Sequence, residues 1–386
     1  MKKKLVIIVA FGIFLIIQPL GAQTWTAAKR LTWNPGYSYS PTIAMDSNNH
    51  LHVVWHDTTS GNTEIYYKRS TNGGATWTSS KRFTWNSGSS VVPVVTVDSN
   101  DHLHVVWQDY TPGNYELYHK RSTDGGTTWS KCQRLTWNIV ASYDPVVTVD
   151  SNDHIHVLWE EECTPGNYEI YYKRSTNGGA SWTATKRLTW NAGYSTDPAI
   201  AVDSSNHLHV VWTDDSKDYN YEIFYKRSTD GGTTWSKYRR ITWTISSLLI
   251  PTIAVDSNNH LHVVWHDNIS GNTEIYYKRS TNAGATWSSS KRFTWNIGAS
   301  YDPVVTVDSN DHLHVVWHDD TPGNKKICYK RSTDGGSSWS KYVGLTWNRG
   351  HSLWKDLAVD SNNHIHVVWD DDTPGNWEIF YKKGIQ

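Results

Sequence analysis

Cysteine is scarce in this chain. Cys132, Cys163 and Cys328 are the only three in 386 residues, too few for a disulfide framework even in an oxidising compartment, so packing has to hold the fold together. Methionine (2) and phenylalanine (6) are also rare, against 23 tryptophans and 22 tyrosines. A chain that relies on amphipathic aromatics in this ratio reads as a β-protein. No excess of basic charge is present: the formal net charge is −1, which gives no reason to expect nucleic acid as a partner. The long apolar run lies at the N-terminus, where Lys2-Lys3-Lys4 precedes Leu5 to Leu20 and Gly21-Ala22 follows. Residues 1–22 therefore read as a secretory signal peptide cut after Ala22. Its loss removes three lysines and no acid and moves the formal charge from −1 to −4. Gln23 stands where a lipoprotein would carry cysteine, so the expected product is secreted, periplasmic or at the cell surface, with no stable membrane insertion after cleavage.

What the chain does have is a repeat. Seven copies of a segment like VDSNNHLHVVW end at Trp55, Trp107, Trp159, Trp212, Trp265, Trp317 and Trp369, 52 or 53 residues apart. In one copy, Pro251 to Asp256, His260 to Asp267, Glu274 to Ser280 and a segment ending at Phe293-Thr294-Trp295 read as four strands separated by turn residues. Four short antiparallel strands cannot bury both faces alone, so the copies must stack, and a ring leaves few exposed edges. The seventh copy stops after its third strand, at Phe380 to Lys383, while Thr24 to Trp33 matches the fourth-strand segment Thr286 to Trp295. The expectation is an all-β chain: residues 23–386 form a seven-bladed β-propeller of four-stranded antiparallel blades, closed by the N-terminal strand completing the last blade. Copies 210 residues apart are near-identical, so sites on the ring should recur.

Between the third and fourth strands stand Ser122-Thr123-Asp124-Gly125-Gly126-Thr127-Thr128-Trp129 and five relatives. This segment resembles the Asp-box, or BNR repeat, of the sialidase superfamily. Its acidic or amide position is held by Asn72, Asp124, Asn177, Asp230, Asn282 and Asp334, which are expected to be structural: the side chain caps its own turn, glycine supplies a positive φ and tryptophan packs under the hairpin. The resemblance implies the superfamily's blade; it does not settle function. Sialidases bring three arginines, a Tyr/Glu pair and an acidic proton donor to one end of the propeller. Here twelve arginines precede the boxes or open the fourth strands, and Arg349 is left in a loop of the opposite face, the mouth. That pattern argues against the arginine triad.

Following the second strands, Asp57, Asp109, Glu161, Asp214, Asp267, Asp319 and Asp371 are expected to line the mouth and to make it acidic. Trp33, Trp85, Trp137, Trp190, Trp295 and Trp347, each beside an asparagine, are the candidate sugar-stacking residues, because carboxylates and amides pair with hydroxyls while aromatic faces cover sugar C–H surfaces. The competing structural reading has each tryptophan packed between blades and each carboxylate capping a turn. The His-x-His pairs, such as His50 and His52, supply two ligands and no third, so no metal and no cofactor is expected, and the histidines are assigned to hydrogen bonds between blades. Glu160-Glu161-Glu162 and Asp370-Asp371-Asp372 make two mouth loops unlike their siblings and leave a carboxylate pair open. The leading expectation is a non-enzymatic recognition propeller for neutral glycans or cell-surface glycoconjugates. A sialidase-like glycoside hydrolase and a structural or adhesive envelope protein with protein partners stand as alternatives.

Overall fold

The computed structural model describes residues 23–385 apart from 165, 192, 218–219, 244–248 and 321–322; the expected signal segment lies outside the described residues. It contains seven antiparallel sheets. Numbered by their second-strand tryptophans, blade one (Trp55) comprises Ser38–Met45, Leu51–Asp57, Glu64–Ser70 and Lys81–Arg82, and blade seven (Trp369) comprises Ser352–Val359, Ile365–Asp371 and Glu378–Ile385. Thr24–Trp25 and Lys29–Arg30 pair antiparallel with Glu378–Ile385, with Thr24 opposite Ile385 and Arg30 opposite Phe380. The N-terminal segment thus completes the last blade.

The second strand is buried on both faces because a blade lies against each side of it. In Leu51–Asp57, Leu51, His52, Val53, Val54 and Trp55 are all fully buried. Alternation then splits these residues between two cores. Val54, Ile65, Tyr67 and Phe83 of blade one meet Leu103, Val105 and Trp107 of blade two. At the seam, Leu31, Val368, Ile379 and Tyr381 meet Ile43, Leu51, Val53 and Trp55 in the same way. Fully burying one such large apolar side chain stabilises by about 1.5–3 kcal/mol, and the ring has seven such cores.

The fourth strand is shorter than the sequence suggests. Lys291–Arg292 pairs for two residues only, because the amide of Ile275 then donates to the Thr294 side chain at 2.9 Å in place of a backbone carbonyl. On the axial side, the first strand carries a bulge in which a non-glycine residue takes a positive φ: 50° at Ser40, 50° at Val92, 47° at Asp144, 53° at Asp197 and 48° at Asp302, each followed by proline. Strained backbone of this kind persists only where neighbouring structure holds it. Here the preceding blade supplies the hold.

The His-x-His pairs act within a blade, which corrects their assignment to contacts between blades. The His50 ring hydrogen-bonds Asp46 Oδ2 at 2.8 Å, and His52 bridges Asp46 and the Tyr67 hydroxyl, the latter at 2.8 Å. Both histidines end on one carboxylate because Asp46 closes its own turn, accepting from the amides of Asn48 and His50. The step to the next blade is made by tyrosine: Tyr277 donates to the Gly335 carbonyl at 3.1 Å and Tyr381 to that of Gly73 at 3.2 Å.

Candidate ligand sites between the blades and at the mouth

Each Asp-box residue closes its own turn. Asp124 accepts from the Thr128 amide at 2.8 Å and hydroxyl at 2.6 Å, and Asn72 accepts from the Thr76 amide at 2.8 Å while its Nδ2 donates to the Thr76 hydroxyl. Asn177 and Asn282, Asp230 and Asp334 repeat the pattern. These hydrogen bonds hold the carboxyls of Asp124, Asp230 and Asp334 down at about 2. The box tryptophan bonds its own turn, Trp129 Nε1 donating to the Gly126 carbonyl at 3.0 Å, while its ring packs across the blade boundary 4.4 Å from Phe83 and 5.1 Å from Tyr67, centroid to centroid. Arginines of the preceding blade reach the same turn, with Arg121 donating to the Gly178 carbonyl and Arg279 to that of Gly335, both at 2.6 Å.

The carboxylates after the second strands are buried, so they do not form an open acidic lining. Asp57 is fully enclosed: Oδ1 accepts from the Thr59 amide at 2.8 Å, and Oδ2 accepts from Ser38, Trp55 and the Asn34 amide group, the last at 2.5 Å. Asn34 follows Trp33 and belongs to the preceding blade. Asn86 reaches Asp109, Asn138 reaches Glu161, Asn191 reaches Asp214, Asn296 reaches Asp319 and Asn348 reaches Asp371 by the same bond. Asp267 is equally buried, but its partner position is Thr244, outside the described residues. The asparagine after each tryptophan is thus the hinge that joins the two candidate sets at one boundary.

The tryptophans themselves are exposed, which corrects the reading that they pack between blades. Trp33, Trp85, Trp137, Trp190 and Trp295 are 67–68% exposed and Trp347 78%. Trp243, the copy without an asparagine, is 69% exposed. Two cations flank Trp33, Trp137, Trp190, Trp243 and Trp295 without covering them, and Arg82 alone flanks Trp85. The Arg30 guanidinium lies 5.7 Å from the Trp33 centroid, and so does the Lys68 ammonium of the next blade. Both cations are committed elsewhere, Arg30 to Glu378 at 2.6 Å and Lys68 to the Leu31 carbonyl. The remaining third-strand lysines, from Lys120 to Lys382, cross to the preceding blade in the same way.

Several of these boundaries open into clefts, and that between blades four and five, lined by Arg240, Trp243, Lys278 and Trp287, holds about 460 Å³. Between blades three and four, Trp190, Asn191, Asp214, Phe224 and Tyr238 surround about 110 Å³. Between blades five and six, Trp295, Asp319, Cys328, Tyr342 and Trp347 surround about 260 Å³. Tyr238 and Tyr342, 64% and 57% exposed, were not singled out by composition or motif. The signal was present nonetheless: tyrosine occupies the residue before the fourth strand in these two copies, where the others carry Ala28, Ser80, Cys132, Thr185 and Ser290.

A second set lies at the axial mouth, of which Glu160 and Asp370 alone stand out in the sequence. Between each second-strand tryptophan and its carboxylate stand His56, Gln108, Glu160, Thr213, His266, His318 and Asp370, seven positions of which only three share a residue type in an otherwise repetitive strand. These side chains reach the next blade's bulge. Gln108 accepts from the Asp144 amide at 2.8 Å, Glu160 from Asp197, His266 from Asp302 at 3.2 Å and Asp370 from Ser40 at 3.0 Å. Burial pushes the carboxyls of Asp197 up to about 7, Asp370 up to about 8 and Glu160 well above the usual range, so they hold protons near neutrality. Tyr110, Tyr115, Tyr143, Tyr168 and Tyr194 run past Glu160 with successive centroids 5.1–6.1 Å apart. On the other side of the mouth, His266, Tyr301, Asp302, His318, Lys325 and Trp354 line a cavity of about 380 Å³.

The family model described as a BNR repeat-like domain matches residues 50–237 and 153–364. The chain belongs to this BNR repeat-like family. Among curated proteins, this BNR propeller is 25% identical over 223 residues to the xyloglucanase Xgh74A of Acetivibrio thermocellus, an alignment covering 52% of this chain and 25% of the relative; the chain spans about a quarter of that relative's length. Among solved structures, a protein of unknown function from Dyadobacter fermentans superposes with a TM-score of 0.59 at 12% identity, covering 95% and 99% of the two chains. The Hadza microbial sialidase Hz136 gives 0.52 at 16% identity over 90% and 65%. The α-L-arabinanase of Penicillium chrysogenum, complexed with arabinobiose, gives 0.54 at 14% over 76% and 92%. At these identities the BNR propeller shares the fold with those structures.

Proposed function

We propose that this chain is an exported, non-enzymatic recognition propeller that binds neutral glycans through the clefts between its blades. The observation that carries the reading is the row of tryptophans standing 67–78% exposed at equivalent positions around the ring. A large indole left mostly in water at every blade boundary gains little burial in the fold, whereas it offers a stacking surface for the C–H face of a sugar. The adjoining asparagine is half-buried and spends its amide group on the enclosed carboxylate, so the indole face is the part of each shelf open to a sugar, and Arg30 and Lys68 beside Trp33 already have anionic or carbonyl partners. A neutral ring suits this setting. Repetition adds avidity on a glycan-coated surface without any new contact. The relation to proteins whose names record action on xyloglucan, sialosides and arabinan supports a glycan as the partner class. The purified chain on a glycan array should bind neutral glycans and lose that binding progressively as Trp33, Trp85, Trp137 and Trp190 are changed to alanine; absence of binding to every glycan sinks the reading.

A second reading, glycoside hydrolysis at the mouth, is favoured by one observation. Glu160 holds a proton where a tyrosine arc passes it, and Glu162 lies two residues further along the same strand. A carboxyl that keeps its proton, with a second carboxyl close by, is the kind of pair that glycoside hydrolysis uses. Release of reducing ends from neutral polysaccharides, abolished in Glu160→Gln, promotes this reading over the first.

A further inference from the structure

Blade six departs from its siblings at three positions that touch one another. In the other six blades, the third strand opens with a glutamate that pairs with an arginine of the fourth strand, as Glu64 does with Arg82 at 2.7 Å and Glu378 with Arg30. In blade six these positions are Lys326 and Gly344. Two residues after the glutamate, Tyr66, Tyr118, Tyr171, Phe224, Tyr276 or Phe380 stacks on the second-strand tryptophan at 5.9–6.0 Å. Here Cys328 lies opposite Trp317. This boundary thus lacks one aromatic ring and one guanidinium, and the Trp347 ring lies over the position from which the arginine side chain would extend.

The neighbouring groups have adjusted to the gap. Lys326 turns towards the following loop, donating to Asn348 Oδ1 at 2.9 Å and the Gly350 carbonyl at 3.2 Å, so it stabilises that loop without filling the space. Trp347 lies over Gly344, where an added Cβ would meet its ring at 2.6 Å; it is the most exposed of the shelf tryptophans. Among the described residues the indole N–H of Trp317 is buried without an acceptor, while its six counterparts donate to the carboxylate two residues on. Buried donors ordinarily find partners. The result is the 260 Å³ cleft, more than twice the volume of the 110 Å³ cleft at blade four, where Phe224 and Arg240 are retained.

We propose that this cleft is a dedicated monosaccharide pocket, so that one boundary of the ring binds a neutral pyranose or furanose ring more tightly than the others. The inference rests on the glycan reading above and adds to it which site dominates. Trp295, Trp347 and Tyr342 provide three aromatic walls, Cys328 an apolar floor, and Asp319 and Thr346 the polar edge that orients hydroxyls. Binding of a single ring in an enclosed aromatic site requires both a cavity and fixed polar groups, and blade six has gained the cavity while keeping the polar groups of the repeat.

The test uses the purified full chain titrated with methyl glycosides of neutral hexoses and pentoses, followed by calorimetry and indole fluorescence. The expected result is one site per chain at least tenfold tighter than any others. The triple variant Lys326→Glu, Cys328→Tyr, Gly344→Arg restores the residues of the other blades and should abolish the tight site while weak binding persists. Cys328→Tyr alone, which fills the floor, should weaken it at least tenfold and serves if the triple variant fails to fold. Equal sites in the unaltered chain, or a tight site that survives both variants, overturns the pocket and leaves the glycan reading standing. No binding of any glycoside and no signal on the array overturns both.

Discussion

Arg30 Nη2 donates to Glu378 Oε1 across 2.6 Å, although 348 residues separate them. The glutamate is fully buried and the arginine is 26% exposed, so this pair locks the two ends of the chain at the outer edge of blade seven. Removing one partner of such a pair leaves an uncompensated charge, at a cost of about 2–4 kcal/mol. Arg30→Ala should lower stability by that amount, and deletion of residues 24–33 should cost far more because Leu31 also leaves its core. Chemical denaturation of the two variants against Arg82→Ala, the same pair inside a continuous blade, measures the closure itself.

Blade two carries His119 where the other blades carry the tyrosine that faces the buried histidine. Burial pulls its pKa down to about 3. The folded chain therefore holds His119 neutral while the unfolded chain protonates it near 6.5. Stability is fully present above that pH and falls as the pH drops towards 3. His119→Tyr should be close to neutral at pH 7.5 and stabilising by about 2 kcal/mol at pH 5. Urea midpoints at the two pH values check both halves of the expectation.

Asp370 behaves with the opposite sign. Its carboxyl is pushed up to about 8 by burial, so the folded chain keeps a proton that the unfolded chain releases near 3.8. Stability therefore falls as the pH rises from 4 towards 8. Asp370→Asn keeps an oxygen to accept from the Ser40 amide and removes the titration. Thermal unfolding should show little change at pH 4 and a gain of more than about 1 kcal/mol at pH 8.

The two glycines of an Asp-box are not equivalent. A Cβ on Gly126 would meet the Tyr67 hydroxyl at 1.9 Å, whereas one on Gly125 meets only the tip of Arg69 at 3.6 Å. Ala283 already occupies the first position in blade five, with φ at 51°. Gly125→Ala should cost about 1 kcal/mol, the left-handed penalty alone, and Gly126→Ala at least twice that, since overpacking adds about 1–3 kcal/mol. Denaturation midpoints of the pair separate backbone strain from contact between blades.

Trp85 and Trp107 differ in the same way between surface and core. Trp107 is fully buried and Trp85 is 68% exposed. Trp107→Ala should destabilise by about 3–5 kcal/mol, while Trp85→Ala should stay within about 0.5 kcal/mol and lower glycan binding. A Trp85 variant that unfolds early would remove the distinction between shelf and core on which the proposed function rests.

Much of the architecture is legible in the chain. The spacing of Trp55 to Trp369 specifies seven blades, and the match of Thr24 to Trp33 with Thr286 to Trp295 specifies the seam, because strand order and turn chemistry are local properties that a repeat prints in one dimension. Asn72 and Asp124 close turns four residues long, which are local for the same reason. The functional surface is less legible. Whether Trp33 lies in the interface or above it depends on Lys68 and Arg30, one from the next blade and one bound to a glutamate at the far end of the chain.

By itself the sequence determined the number of blades, their four-strand plan, the point of closure and the recurrence of Trp-Asn and carboxylate at each copy. Tertiary structure decided that the asparagine joins the two, that the carboxylates are enclosed while the indoles stay in water, that His56 to Asp370 form a ring of contacts at the mouth, and that Lys326, Cys328 and Gly344 leave one boundary hollow. The physical reason is the same throughout. A repeat fixes what each blade contains, but burial is set where two blades meet, and the groups that meet there, such as Lys330 and the Phe293 carbonyl, lie 37 residues apart and come together only when the ring has formed.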